Sequence, residues 1–305
     1  MTDFQLANRR TLAVTVQERI KDARHILEYL GLRIVAAVFS RLPLEWVSAF
    51  SGFMWRHIAP LLHRQQRALS NLARAYPDKS LAEREAIARD MWENLGRTFA
   101  EAFQLEALAK SDRIRIEQPE IFTALAASGK GAVFCSAHIG NWEVSTVPGL
   151  LHRLRTASVY QKVKNPWVER FLLDTRRFLY AGGLFPKDKN AARNMVRHAR
   201  GGGSVAVMTD LRDWTGVKID FFGTLAPTTQ FPAHLAHLLD VPLYVGTAIR
   251  ERGARFRIVV EPVEVRQSGD RDADVLAMTR DIHAVIERAI RAEPAQWMWG
   301  HRRWG

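Results

Sequence analysis

Residues 131–137 (GAVFCSA) run directly into His138-Ile139-Gly140-Asn141-Trp142-Glu143. An imidazole and a carboxylate thus stand five residues apart around a glycine. On one continuous helix that spacing would hold the side chains ~140° apart and out of reach. At a strand-to-helix turn, which Gly140 permits, they can meet. A glutamate accepting from one imidazole nitrogen fixes the tautomer and leaves the other nitrogen as a base. The chemistry indicated is proton abstraction by His138, with Glu143 stabilising the imidazolium. The pattern is not the His-Glu-x-x-His of zinc peptidases and no second cluster supplies further ligands, so no metal is expected. Cys135, the single cysteine, allows no disulfide framework. Inside an apolar run it reads as a small buried hydrophobe rather than a nucleophile.

The elements that must position this pair follow from hydrophobic patterning. Short apolar runs at 131–137, 156–161, 204–208, 243–248 and 256–260 read as buried strands,. Helical segments at 167–180, 191–199, 231–239 and 275–291 separate several of them, and such alternation predicts a partly parallel α/β sheet. Ligands then gather beyond the carboxyl ends of strands, where His138 stands. Gly201-Gly202-Gly203 lacks the following Lys-Ser/Thr of a phosphate loop and reads as a helix-ending turn. The earlier part is helical. Ser80 and Glu83 fit a capping box, and Ile87, Met91, Leu95, Phe99 and Phe103 line one face of the helix that follows. Residues 24–63 read as two helices broken at Leu42-Pro43. The predicted division is a helical, membrane-associating region over 1–110 and an α/β core over 111–305.

Charge bounds the partners. The 305 residues carry 44 Lys plus Arg against 32 Asp plus Glu, a formal +12, and nine tryptophans. That excess favours a polyanion: nucleic acid, an anionic membrane surface or a phosphorylated substrate. The basic residues are spread along the chain with no RNA- or DNA-binding signature, which disfavours a nucleic-acid-binding protein. Residues 24–63 are apolar but interrupted. Only seven residues separate Arg33 from Arg41, far short of the ~20 needed to span a bilayer. They read either as core helices or as a hairpin lying on a membrane, and the net charge favours the second.

The stretch GAVFCSAHIGNWE resembles the His-x-x-x-x-Asp/Glu motif of the lysophospholipid acyltransferase superfamily. More narrowly, it is similar to the bacterial lipid A biosynthesis acyltransferases, the lauroyl and myristoyl transferases. RALSNLARAYP, Lys164-Asn165-Pro166, Arg176 and Arg177, Val207-Met208-Thr209-Asp210, VKIDFFG and Trp297-Met298-Trp299-Gly300-His301-Arg302-Arg303 follow in the family's order, so the resemblance covers roughly residues 24–304. It implies a helical membrane-associating N-terminus followed by a mixed, partly parallel sheet flanked by helices, of the glycerolipid acyltransferase kind. It also implies acyl transfer from an acyl-carrier protein or acyl-CoA thioester to a hydroxyl of an anionic glycolipid, a lipid A precursor. The place implied is the cytoplasmic face of the inner membrane, and no cofactor is required.

His138 matches the family's general base and Glu143 its acidic partner. Asn165, Arg176, Arg177, Asp210 and Arg212 are the substrate-binding candidates, the arginines through their planar forks of donors. Backbone amides near Gly140 and Asn141, or Arg177, are candidates for meeting the oxyanion. Phe221 and Phe222 are expected to pack or to shape the acyl channel. Trp297, Trp299, Arg302, Arg303 and Trp304 are expected at the bilayer surface or against acceptor phosphates. Asp-Leu-Arg-Asp at 210–213 departs from the family's frequent Asp-Gln and leaves a relative acting on another lipid open, with a phosphatidylinositol mannoside or a lysophospholipid as acceptor.

Overall fold

The computed structural model describes residues 3–304, with side chains from Glu18 onward. Helices α1 (Asp3–Phe39) and α2 (Leu44–Ile58) meet at the Leu42-Pro43 break, with Pro43 as the cap of α2. Proline's missing N–H costs nothing at a helix start. After α3 (Arg64–Ala75), helix α4 (Leu81–Glu101) opens with the expected capping box. Ser80 Oγ accepts from Glu83 N at 3.3 Å, and Glu83 Oε2 accepts from Ser80 N at 2.8 Å, worth ~1 kcal/mol. Helices α2 and α4 approach until Ser51 Oγ donates to Gly96 O at 2.7 Å. A Cβ at Gly96 would stand 2.7 Å from that same serine's carbonyl. The α4 stripe buries Met91 and leaves Phe99 exposed against the rings of Trp55 and Phe103. The short α5 (Leu105–Ala109) closes the helical region.

The rest alternates strand with helix. In order come β1 (Ile114–Ile116), α6 (Pro119–Ser128), β2 (Val133–Ser136), α7 (Val147–Leu151), β3 (Thr156–Tyr160), α8 (Pro166–Arg176), β4 (Gly183–Pro186) and α9 (Ala191–Arg200). They are followed by β5 (Ser204–Met208), β6 (Val217–Phe221), β7 (Thr224–Thr228), α10 (Phe231–Leu239), β8 (Leu243–Arg250), β9 (Phe256–Val263) and α11 (Arg271–Ala292). The main sheet runs β1-β9-β8-β2-β5-β3-β4, and β6 and β7 form a separate antiparallel hairpin. Only β8 and β9 pair antiparallel within the main sheet; its other neighbours are parallel. Strands buried on both faces need continuous apolar runs, and Val133, Cys135, Val205, Leu243 and Val245 supply them. The glycine triplet lies where α9 turns into β5, as the sequence predicts.

A polar seam joins the helical region to the sheet. Arg250, at the end of β8, donates to both carboxylate oxygens of Glu101 at 2.5 and 2.9 Å and through Nε to Asn94 Oδ1 at 2.8 Å. Ser48 and Asn141 complete the shell of Glu101 at 2.7 and 2.8 Å. Glu101 is fully buried.

Among the described residues no helix is long and apolar enough to cross a membrane. Two rows of large apolar side chains nevertheless face outward: Leu27, Leu30, Ile34 and Val38 on α1, and Trp46, Phe50 and Phe53 on α2.

The seam sets a stability test. Arg250→Met leaves the Glu101 charge buried without its cation, and breaking a buried pair this way costs ~3–5 kcal/mol. Thermal or denaturant unfolding of the variant is expected to register a loss of that size, and a loss below about 1 kcal/mol would contradict the role given to the pair.

Candidate active site

Strand register assembles the site. Strands β2 and β5 are parallel neighbours with Ser136 opposite Met208, so His138 and Asp210 each lie two residues beyond the last paired position. Asp210 Oδ1 sits 2.9 Å from His138 Nδ1, and Oδ2 accepts from His138 N at 2.8 Å. The same Oδ2 accepts from Trp297 Nε1 at 2.8 Å. Asp210 is fully buried. Burial, the largest single influence, pushes its carboxyl up, but the charge and hydrogen bonds of His138, joined by His301, together hold it well below the usual carboxylate range,. An ionised carboxylate only accepts, so the proton of a neutral His138 sits on Nδ1. Its Nε2, free of hydrogen bonds to the described residues, is left as the basic edge.

The turn after His138 needs Gly140. Its φ is +58°, and an added Cβ would fall 1.8 Å from Ala248 O. Asn141 Oδ1 accepts from Glu143 N at 3.1 Å and starts a 3-10 turn at Trp142–Thr146. That turn carries Glu143 to Arg176 at the end of α8, at 2.6 Å, with the glutamate largely buried. The carboxylate on the His138 ring is therefore Asp210, and the expected contact from Glu143 is not made. The spacing argument placed both groups on one turn; the sheet supplies the carboxylate from the adjacent strand instead.

Against known proteins, the family model described as bacterial lipid A biosynthesis acyltransferase matches residues 16–305, nearly the whole chain. The chain belongs to this family. It is accordingly an acyltransferase of the lipid A biosynthesis type. No curated protein matches it.

The remaining sequence candidates of this acyltransferase fall in several places. Asn165 caps α8, accepting from Trp167 N and Val168 N, and donates back to His25 O at 2.7 Å and Glu28 Oε2 at 3.0 Å on α1. Arg176 is committed to Glu143. Arg177 lies out in solvent beside Asp174 at 2.9 Å, and Arg212 stacks 4.2 Å over the ring of Trp214. Cys135 is buried, and desolvation pushes its thiol far above its ordinary value. Phe221 and Phe222 pack in the core. The C-terminal aromatics correct the expectation of a surface role. Trp297, Trp299, Trp304 and Arg303 are all buried, because the tail folds back over the strand ends, bridging Ile139 to Trp297. Arg303 spans Pro227 O at 2.9 Å and Thr228 Oγ1 at 2.7 Å beneath the Phe221 ring. Of that group Arg302 alone stays exposed.

Two histidines not singled out by sequence reasoning lie next to the pair. His301 stands edge-on to His138, ring centroids 4.5 Å apart. His138, Asp210 and His301 also form the one cluster of metal-ligand type among the described residues. The Asp210 oxygens and His138 Nδ1 are already engaged with each other there, a relay rather than an open ligand set. Behind them, His283 Nδ1 lies 2.9 Å from Thr279 O and Nε2 3.1 Å from Thr209 O. A neutral ring donates to only one of the two.

Burial first, then the charge of Arg303, lowers His283 from 6.5 to about 4. The folded protein then binds fewer protons than the unfolded chain between those values, so stability falls as pH drops from 6.5 towards 4,. The loss attributable to this ring is on the order of 3 kcal/mol at most. Melting curves from pH 7.5 to 4.5 should show that slope, and His283→Gln should flatten it. His301, lowered to about 3 mainly by burial, adds a slope of the same sign that survives in the variant.

Proposed function

We propose that the protein is a membrane-associated O-acyltransferase that moves a fatty acyl chain from an acyl-carrier protein or acyl-CoA thioester to a hydroxyl of a lipid A precursor. The observation that carries this reading is the buried, ionised Asp210 on Nδ1 of His138. His138 Nε2 takes the acceptor hydroxyl's proton as the oxygen attacks the thioester carbonyl. The C–O bond forms, the carbonyl oxygen becomes an oxyanion, and Asp210 stabilises the imidazolium. Collapse of the tetrahedral intermediate breaks the C–S bond, and His138 returns the proton to the departing thiolate. Glu143 acts through Arg176, tying the 3-10 turn to α8 and so holding the segment that carries His138. Arg212, with no carboxylate in ion-pair range among the described residues, is the sequence candidate left to meet the acceptor's anionic groups.

The site of action proposed is the cytoplasmic face of the inner membrane. Supporting this are the outward apolar rows of α1 and α2, with Arg19, Lys21, Arg24 and Arg33 on α1, Arg41 in the turn between the helices and Arg56 on α2. Apolar rows flanked by cations suit an anionic lipid surface.

Two measurements test the reading. Detergent-purified protein, supplied with acyl-carrier thioesters and a lipid A precursor, is expected to add one acyl mass. Asp210→Asn should lower kcat by ~10² to 10⁴, and Glu143→Gln should lose less. Retention of more than about a tenth of kcat by Asp210→Asn would remove the relay from the mechanism. Acylation of a phosphatidylinositol mannoside or a lysophospholipid, but not of the precursor, would overturn the acceptor. In vesicle flotation with anionic lipid, the triple variant Trp46→Ser, Phe50→Ser, Phe53→Ser should partition at least about tenfold more weakly. Unchanged partitioning would remove α2 from the membrane-facing surface.

A further inference from the structure

A base accounts for one half of acyl transfer. The thioester oxygen also needs a hydrogen-bond donor as it becomes an oxyanion, and near His138 most donors are taken. Gly140 N donates to Gln296 O at 3.0 Å and Asn141 N to Ala248 O at 3.2 Å. Ile139 N is turned to Ala137 O, Met298 N to His138 O and His138 N to Asp210. Arg177 lies in solvent beside Asp174, and Arg303 is buried beneath Phe221. The amides of Gly140 and Asn141 expected to meet the oxyanion are thereby spent, and Arg177 is paired with Asp174.

The His301 ring is different. It makes no side-chain hydrogen bond among the described residues, and its Nε2 is closed off from solvent without a partner. Its centroid lies 4.5 Å from that of His138, and one of its nitrogens falls within 4.8 Å of ligand-type atoms of both His138 and Asp210. The backbone beneath it is pinned. Asn71 Nδ2 donates to Trp299 O at 2.8 Å and to His301 O at 2.9 Å, and Arg67 reaches Gly300 O at 3.4 Å. An imidazole on a pinned backbone beside the base, with its hydrogen-bonding capacity unspent, is an interaction awaiting a partner.

We propose that His301 is a second catalytic residue, a neutral imidazole that donates its N–H to the thioester carbonyl oxygen as this becomes the oxyanion. The inference rests on the acyl-transfer reaction proposed above. No proton leaves His301; the contact is a hydrogen bond that strengthens as charge develops on oxygen. Sealing Nε2 favours the proton on Nδ1, since an orphaned acceptor is tolerated better than an orphaned donor. Burial first, then the charges of His138, Arg64 and Arg67, hold the ring to about 3, against the opposing pull of Asp210. Neutrality matters, because a cationic His301 would repel the imidazolium that His138 becomes in the same step. Arg64 and Arg67 add a positive field at the developing oxyanion.

The test compares His301→Phe, which keeps a ring and removes the donor, with His301→Gln, which restores an N–H. Both are made in the full-length protein with wild type alongside. His301→Phe should lower kcat by ~10² to 10³ with KM within about threefold and an unchanged melting midpoint. His301→Gln should recover at least about tenfold of that loss. An alkyl phosphonate on the donor's phosphopantetheine arm, a tetrahedral anion, should lose affinity for His301→Phe relative to a thioether analogue of the ground state. A kcat for His301→Phe within about threefold of wild type, or an unchanged phosphonate-to-thioether ratio, overturns the proposal. Should His301→Phe fail to fold, the ratio is read in His301→Gln, where a fall is expected and constancy overturns. Absence of transfer by wild type to any lipid would mark failure of the reaction itself, apart from the role of His301.

Discussion

The carboxylate of Asp210 is the point on which the site is organised. A fully buried anion is tolerated only when its lone pairs are filled and a cation or strong donors face it. Three donors meet this one, drawn from two places in the chain: the backbone and ring of His138 after β2, and the indole of Trp297 in the C-terminal tail. Satisfying the anion therefore fixes the imidazole's tautomer and draws the tail across the strand ends. Burial of Trp297, Trp299 and Trp304 follows from that return path. It also delivers His301 to the edge of the His138 ring.

A second constraint comes from the helical side. Asn94 Nδ2 and Thr98 Oγ1 both donate to Gly140 O, at 2.9 and 3.1 Å, while Asn94 Oδ1 accepts from Arg250. The turn that carries His138 is thus clamped between α4 and β8. Gly140 is the residue that lets the backbone come close enough, for a side chain there would collide with the Ala248 carbonyl. Asn165 extends the same logic outward, joining α1 to α8, whose last residue reaches back to Glu143. The placement of such a pair depends on its support as much as on the pair itself.

Much of this was legible from residue order, and the parts that were not share a cause. The strand runs, the helix break at Leu42-Pro43, the capping box at Ser80 and Glu83, and the glycine triplet are local signals and fall where patterning puts them. His138 at a strand end was legible for the same reason. Its carboxylate partner was not, because nothing within a few residues of either chain position records that β2 and β5 lie side by side. A usable signal existed: the run 131–137 is followed directly by a titratable side chain, and the run 204–208 ends two residues before another. The tail misled through composition, since Trp beside Arg is typical of a membrane interface, and a buried Arg303 has no local signature. His301 was quoted within a motif yet given no role, because its proximity to His138 arises only when the tail folds back.

The parallel neighbouring of β2 and β5 has an evolutionary consequence. His138 and Asp210 are 72 residues apart in the chain, yet their separation in space is set by one sheet register. Intervening segments that do not brace the turn, such as β4 and α9, can lengthen, shorten or change sequence without altering that register. Lineages are therefore free to remodel those segments while inheriting the His138–Asp210 pair intact. Change in the surrounding segments is thereby uncoupled from preservation of the pair.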